Sequence, residues 1–106
     1  MNIELASDQL KALGNRSRLL VYRTLVRAGV EGLPVGGLQE RVGIAPSTLT
    51  HHLRQLIAAG LVTQERHGTV LICRANYAAM NGLIGFLVDE CCADSAPVRR
   101  LGARSA

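Results

Sequence analysis

The sequence predicts a mainly helical domain that carries one β-hairpin. Three features support this prediction: two helical segments around a short glycine-containing turn (36–42 and 46–59), an alternating stretch with a tight turn directly after them (61–76), and an apolar stripe at helical spacing near the end of the chain. Two helices joined by a tight turn and followed by a hairpin form a winged helix-turn-helix. The chain has 106 residues, of which 48% are hydrophobic, so one domain with its own core is expected.

The stretch before the helix-turn-helix is predicted to hold two helices. Residues 1–5 are expected to be frayed, and a short helix fits 6–13, where leucines are spaced to pack. A stronger helix is predicted over 14–29, because Asn15 or Ser17 can cap its start and a glycine follows its last apolar residue.

The helix-turn-helix is predicted to follow a loop at 30–34. A short helix over 35–43 ends at a glycine, and a longer helix over 44–60 begins with Pro46, a residue that suits the first helical turn. These two helices would place the second one where it can enter a DNA groove.

The longer helix separates into two faces at 100° per residue. With Leu49 as the inward reference, Leu53 and Leu56 point inward, and His52 falls close to that side, where it is expected to pack or bond locally. The outward face carries hydroxyl, amide, imidazole and guanidinium groups, which suit bases and phosphates. This face comprises Ser47, Thr48, Thr50, His51, Arg54 and Gln55.

The alternating stretch is predicted to form two strands, near 62–66 and 70–74. Gly68 lies in the tight turn between them, where a positive φ is required. Arg66 and His67 fall at the tip of this hairpin, as in a wing that touches the DNA backbone or minor groove.

The last helix is predicted over 77–92, because apolar residues recur there at intervals of three and four. Residues 93–106 contain proline, small residues and three arginines without any period, and are interpreted as a mobile tail. The expected organisation is therefore a DNA-binding and dimerisation domain over 1–92 followed by this tail.

Charge favours an anionic partner, since the net charge is +4 and the pI is near 9.5. The alternative for the polar face and the hairpin tip is an ordinary solvated surface. The combination of a helix-turn-helix, a hairpin and a basic chain favours double-stranded DNA.

Other classes of function find less support in the sequence. No nucleophile–base pair, phosphate-binding glycine loop or facing pair of carboxylates is visible, so an enzyme is not expected. No apolar run approaches 18 residues and no export signal opens the chain, which makes a cytoplasmic protein without a membrane partner the expectation. Three cysteines, an odd number, do not indicate a disulfide framework.

Three stretches resemble the ArsR/SmtB family of bacterial metal- and metalloid-responsive repressors: "LKALGNRSRLLVYRTL", "STLTHHLRQLIAAGLV" and "ERHGTVLICRAN". The resemblance covers about residues 6–92. It implies a winged-helix homodimer, paired through its first and last helices, that binds a palindromic operator and leaves it when an inducer binds. The family often has a capping serine before the proline, whereas this sequence has Ala45. The helix therefore lacks a side-chain cap, which would stabilise it by about 1 kcal/mol.

The family's inducer sites indicate which residues could sense a signal here. One type of site uses a Cys-x-Cys-Asp phrase, but residues 33–39 read "LPVGGLQ". Another binds zinc through aspartate and histidine on the last helix, which here has no histidine. The remaining soft ligands are Cys73, Cys91 and Cys92, the predicted metal- or metalloid-binding residues.

The arrangement of these cysteines stays open. Cys91 and Cys92 would point about 100° apart on a continuous helix, so both join one site only if the helix frays. If the last helices pair antiparallel in a dimer, Cys91 and Cys92 of one protomer approach Cys73 of the other. Three thiolates would suit arsenite or antimonite, and two would suit methylarsenite.

Several alternatives to a trivalent arsenical inducer remain at this point. A thiol-redox or persulfide switch through the same cysteines is the main one. A winged helix that binds DNA or protein without any ligand is another. Each cysteine on its own could also be an ordinary buried residue.

Overall fold

A computed structural model of the chain describes residues 1–95 and contains five helices and three strands. The elements in chain order are α1 (Ile3–Leu13), α2 (Arg16–Ala28), β1 (Leu33–Pro34), α3 (Val35–Val42), α4 (Pro46–Ala58), β2 (Val62–His67), β3 (Val70–Ala75) and α5 (Tyr77–Val88). The predicted winged helix-turn-helix is confirmed. The predicted tail lies largely at 96–106, outside the described residues.

The first two helices begin at asparagine caps. Asn2 Oδ1 accepts a hydrogen bond from Leu5 N at 2.8 Å, so α1 starts at Ile3 and the expectation of a frayed segment 1–5 is wrong. Asn15, not Ser17, caps α2, with its Oδ1 accepting from Arg18 N at 3.0 Å.

The helix-turn-helix forms as predicted. Helix α3 ends at Gly43, whose φ of 68° is the left-handed conformation that lets the chain turn into α4. No side chain caps the start of α4, where Ala45 precedes Pro46. Proline fits there because its fixed φ and missing N–H suit the first helical position.

The sheet has one strand more than the predicted hairpin. Strands β2 and β3 pair antiparallel from Val62↔Ala75 to His67↔Val70, with Gly68 at φ 64° in the turn. Leu33 and Pro34, expected in a loop, pair with Cys73 and Ile72 and form β1 at the edge of the sheet.

The core lies between the helices and the inner face of the sheet. Its fully buried side chains come from five elements and from the turn after α4, and include Val21, Leu25, Leu38, Leu49, Leu56, Leu61, Val62 and Cys73. Because α4 packs its apolar side into this core, its polar side must face away from the protein. Of the helices in residues 1–95, none has both the length and the apolar character needed to cross a membrane.

The last helix is shorter than predicted. It ends at Val88, and residues 89–95 continue as a series of turns in which Glu90 and Cys92 take φ values of 64° and 63°. The apolar spacing that extended the prediction to 92 does not require a helix, since the side chains from Leu87 onward are exposed and gain little from helical packing.

Candidate nucleic-acid interface and thiol site

The outward face of α4 is an exposed polar surface of the helix-turn-helix. All six of its predicted contact residues are exposed, whereas Leu49, Leu53 and Leu56 are at most 2% exposed. The inward leucines fix the rotation of the helix, so the outward residues have no freedom to turn away from a groove. These outward residues are Ser47, Thr48, Thr50, His51, Arg54 and Gln55.

His52 lies on the inner side of α4, as predicted, and is 7% exposed. Burial lowers the pKa of the His52 imidazole, and the nearby positive charge of Arg18 and the His51 ring lower this pKa further. His51 itself is exposed, with its ring centroid 5.9 Å from that of His52. His52 is therefore a packed, neutral imidazole, whereas His51 faces outward.

The hairpin carries an ion-pair network that the sequence prediction did not include. Glu65 Oε1 lies 2.7 Å from Arg74 Nη1 and 3.3 Å from His67 Nε2, and these two contacts hold the pKa of Glu65 below its usual range. Glu65 and His67 are two apart on β2, the spacing that places side chains on one face of a strand. That spacing was visible in the sequence.

The two predicted wing contacts consequently differ in availability. Arg66 and His67 are both exposed, but His67 is engaged with Glu65, while Arg66 makes no ion pair within residues 1–95. A DNA phosphate would have to compete with Glu65 for His67 and would meet Arg66 without such competition.

The end of α5 brings two thiols together. Cys91 Sγ and Cys92 Sγ lie 3.5 Å apart in the exposed turn that follows the helix. The condition under which both thiols can join one site, that the helix ends before them, is met, because α5 stops at Val88 and Cys92 takes a left-handed conformation. A non-glycine residue in this conformation costs about 1–3 kcal/mol, and such residues are concentrated at functional sites.

Cys73 lies in a different environment. It is 0% exposed on β3, in the core, and Gln64 Nε2 donates to its Sγ at 3.4 Å. Burial raises the pKa of the Cys73 thiol, and the Gln64 hydrogen bond opposes this rise. Within residues 1–95 of one protomer, no three histidine, cysteine or carboxylate side chains come together as a metal site would require.

A further surface is apolar. Exposed large hydrophobic side chains are concentrated on α1 and α5, among them Ile3, Leu10, Ile84, Leu87 and Val88, and we call these the apolar face. A cavity of about 350 Å³ opens beside it between α1, α2 and α5, lined in part by Leu13, Leu19 and Met80. A group of exposed large hydrophobic side chains on two helices indicates an interaction site.

The sequence is similar to characterised transcriptional regulators. The profile of a helix-turn-helix domain family matches residues 13–65. The nodulation protein NolR of Rhizobium meliloti is 34% identical over 86 residues, which cover 81% of this chain and 68% of NolR. The regulator NmtR of Mycobacterium tuberculosis is 34% identical over 84 residues, or 79% of this chain and 64% of NmtR.

Solved structures show the same architecture. NolR from Sinorhizobium fredii superposes with a TM-score of 0.65 at 31% identity, over 81% of this chain and 83% of that one. Reduced HlyU from Vibrio cholerae has a TM-score of 0.61 at 27% identity, over 81% and 90%. A homodimeric winged helix-turn-helix DNA-binding domain from Mycobacterium bovis, a possible ArsR-family regulator, matches with 0.65 at 23% identity, over 92% and 90%.

Proposed function

The chain belongs to the ArsR/SmtB family of winged-helix transcriptional regulators, and we propose that it is a homodimeric repressor that leaves its operator when a trivalent arsenical bridges Cys91 and Cys92. The observation that carries the inducer proposal is the 3.5 Å separation of the two sulfurs in an exposed turn. DNA binding is proposed for α4 and the wing, and inducer binding for the turn after α5, so each part of the proposal can be tested alone.

The DNA part rests on the sidedness of α4. Its polar outward face is held by buried leucines, and Arg66 extends the basic surface onto the wing. Two recognition helices related by a two-fold axis read two half-sites, so a palindromic operator matches a homodimer. The apolar face on α1 and α5 supplies the surface that a second copy would cover.

The spacing of the thiols favours a bridging atom over a direct disulfide. Consecutive Cα atoms are about 3.8 Å apart across a trans peptide, whereas the Cα atoms of ordinary disulfides are about 4.4–6.8 Å apart. A disulfide between Cys91 and Cys92 would therefore be strained. A disulfide would also require the two sulfurs to move from 3.5 Å to about 2.05 Å apart. An arsenic atom bonded to both sulfurs leaves them close to their present separation.

Two thiols at the site favour an arsenical that offers two exchangeable positions. Methylarsenite, with one methyl group and two hydroxyl groups on arsenic, has this form. Each As–O bond is replaced by an As–S bond, and each hydroxyl leaves as water with the proton of the thiol. Arsenite and antimonite would use a third sulfur, but Cys73 is enclosed in the core and its raised pKa opposes the thiolate. A Cys73–Cys91 site between protomers would require Cys73 to leave that core.

A thiol-redox signal is the second candidate. The same exposed pair of thiols supports it, as does the likeness to a HlyU structure described in its reduced form. A strained disulfide between adjacent cysteines would be readily reversible, which suits a redox switch. The inducer experiment therefore includes oxidants.

The test is DNA release measured by fluorescence anisotropy, with DNA from the region upstream of the protein's own gene. The wild-type protein is titrated with methylarsenite, arsenite, antimonite, zinc, peroxide and polysulfide. We expect methylarsenite to release the DNA, the variants Cys91→Ser and Cys92→Ser to resist release, and Cys73→Ala to be released like the wild type. Alanine is chosen at position 73 because a serine would place a polar hydroxyl group in the apolar core.

Other outcomes contradict particular parts of the proposal. Resistance in Cys73→Ala together with normal release in Cys92→Ser would favour a Cys73–Cys91 site between protomers. Release by peroxide or polysulfide alone would replace the arsenical with a redox or persulfide signal. Absence of specific binding to any upstream fragment would refute the repressor itself.

A further inference from the structure

The turn that ends α4, the helix predicted to read DNA and called the recognition helix below, is hydrogen-bonded to α1 and to the start of α5, the two helices that carry the apolar face. It comprises Ala59, Gly60 and Leu61, and each of its three carbonyl oxygens accepts a hydrogen bond from elsewhere in the chain. Ala59 O accepts from Gln9 Nε2 at 3.1 Å. Gly60 O and Leu61 O accept from Nδ2 and N of Asn76 at 3.0 and 2.8 Å.

These bonds are additional to those that end the helix. Gly60 N donates to Ile57 O and Leu61 N donates to Leu56 O, a pattern that closes α4 locally with Gly60 at φ 79°. The carbonyl of Gly60 could otherwise be met by solvent, because Gly60 is exposed, whereas Leu61 is fully buried and its carbonyl depends on a partner within the protein. The chain instead presents a donor to each one from α1 or from the start of α5.

Gln9 is an unusual residue for its position. It is 2% exposed on the inner face of α1, one turn from the buried Ala6 and Ala12, and only Gln9 and His52 are buried polar residues within residues 1–95. Its Oε1 has no hydrogen-bond partner in this part of the chain. A buried amide with an unsatisfied oxygen is destabilising, so stability alone does not explain a glutamine here.

Asn76 joins the same turn to α5. Its Oδ1 accepts from Ala79 N at 3.1 Å and so caps α5, while its Nδ2 and backbone N hold Gly60 and Leu61. The cap of the last helix and the end of the recognition helix are therefore built on one side chain. A shift of α5 at this end must move the turn or break these bonds.

We propose that Gln9 and Asn76 are positioning residues that tie the recognition helix to the dimer, so that the separation of the two recognition helices follows the arrangement of α1 and α5. This inference rests on the proposed dimeric repressor. The apolar face lies on the same two helices, and Cys91 and Cys92 follow the end of α5. The turn Ala59–Gly60–Leu61 is where an altered dimer would act on α4.

The first test replaces Gln9 by methionine, which keeps the length of the side chain and removes the donor. We expect Gln9→Met to remain folded and dimeric but to bind the operator about fivefold to tenfold more weakly, as for loss of one hydrogen bond in each protomer. Its affinity for unrelated DNA should not change, since no phosphate contact is altered. Val30→Met, which introduces a methionine at an exposed position on the loop after α2 and away from α1 and α5, is the control and should bind like the wild type.

The second test alters the hydrogen bonds that Asn76, at the start of α5, makes to the turn. Asn76→Asp keeps an oxygen to cap Ala79 N but removes the donor to Gly60 O, so it should also weaken operator binding selectively. In the double variant, the two losses should combine less than additively, because both variants release the same turn. If Gln9→Met does not fold, Asn76→Asp alone tests the inference: its ratio of operator affinity to unrelated-DNA affinity should be lower than that of the wild type.

Clear results would overturn the inference. Operator affinity within twofold of the wild type in both variants, or fully additive losses, would mean that the turn does not position α4. These measurements use no inducer, so a wild-type protein that ignores arsenicals would refute the proposed inducer without affecting this result. If the inducer proposal also holds, the variants should show a smaller methylarsenite-induced loss of affinity than the wild type.

Discussion

At the scale of single residues, the cysteines show how position decides chemistry. Cys73 and Ala75 point inward on β3 and are buried, so this thiol is enclosed by the core. Cys91 and Cys92 lie beyond the end of α5, where Cys92 takes a left-handed conformation and the two sulfurs lie 3.5 Å apart. The sequence identified the three thiols as candidates, but their grouping depends on a helix end and a strand face that the local pattern does not specify.

His52 should make stability depend on pH. Its imidazole is buried and neutral in the folded protein, with a pKa lowered by burial and by Arg18 and His51. The unfolded chain therefore binds a proton at a pH where the folded protein does not, and stability is lost as the pH falls below about 6.5, the usual histidine pKa. We expect His52→Gln to reduce this loss by up to about 1.4 kcal/mol per pH unit, the limit for one proton.

Urea unfolding at pH 8, 6 and 5 measures this effect. His51→Gln is the comparison, because it makes the same substitution at the neighbouring exposed position. Equal slopes for His52→Gln and the wild type would mean that His52 is not kept neutral by the fold.

At the scale of elements, those with local signals were predicted and those that depend on tertiary contacts were not. Helices α2 to α4 and the hairpin follow from caps, glycines and periodicity. Strand β1 has only two residues and exists because β3 offers it an edge. The first turn of α1 needed recognition of Asn2 as a cap, and the end of α5 has no glycine to mark it.

The wing should bind DNA more tightly when Glu65 is neutralised. Glu65 pairs with His67 and Arg74, so its carboxylate both occupies these side chains and repels phosphate. We expect Glu65→Gln to tighten DNA binding about twofold to tenfold at low salt and to steepen the salt dependence of the binding constant. Anisotropy titrations over a range of salt concentrations measure both quantities.

Arg66→Ala gives the opposite change on the same hairpin. It should weaken binding to all sequences similarly and reduce the salt slope by about one for each protomer. If neither substitution alters the salt slope, the wing does not approach the DNA backbone and the predicted contacts of Arg66 and His67 are wrong.

At the scale of the whole molecule, the proposed function requires a second copy. One α4 reads one half-site, and two half-sites are read together only if the dimer fixes their separation. The resemblance to the ArsR/SmtB family implied pairing through the first and last helices, and the apolar stripe along α5 fits that pairing. Leu83 is 5% exposed against the core, whereas Ile84 and Leu87 are 53% and 59% exposed on the apolar face.

Replacing Ile84 by aspartate should therefore separate the dimer. A charge at this position would be buried without a partner in each protomer, and the burial of two isoleucine side chains, about 1.5–3 kcal/mol each, would be lost. We expect Ile84→Asp to be a folded monomer at micromolar concentration by light scattering, with operator affinity reduced about 100-fold or more, since half-sites are then bound one at a time. Val30→Asp is the matched control, because Val30 is 76% exposed on the loop after α2, away from α1 and α5. A dimeric Ile84→Asp protein with normal operator binding would place the interface elsewhere and would also remove the route from α5 through Asn76 to the recognition helix.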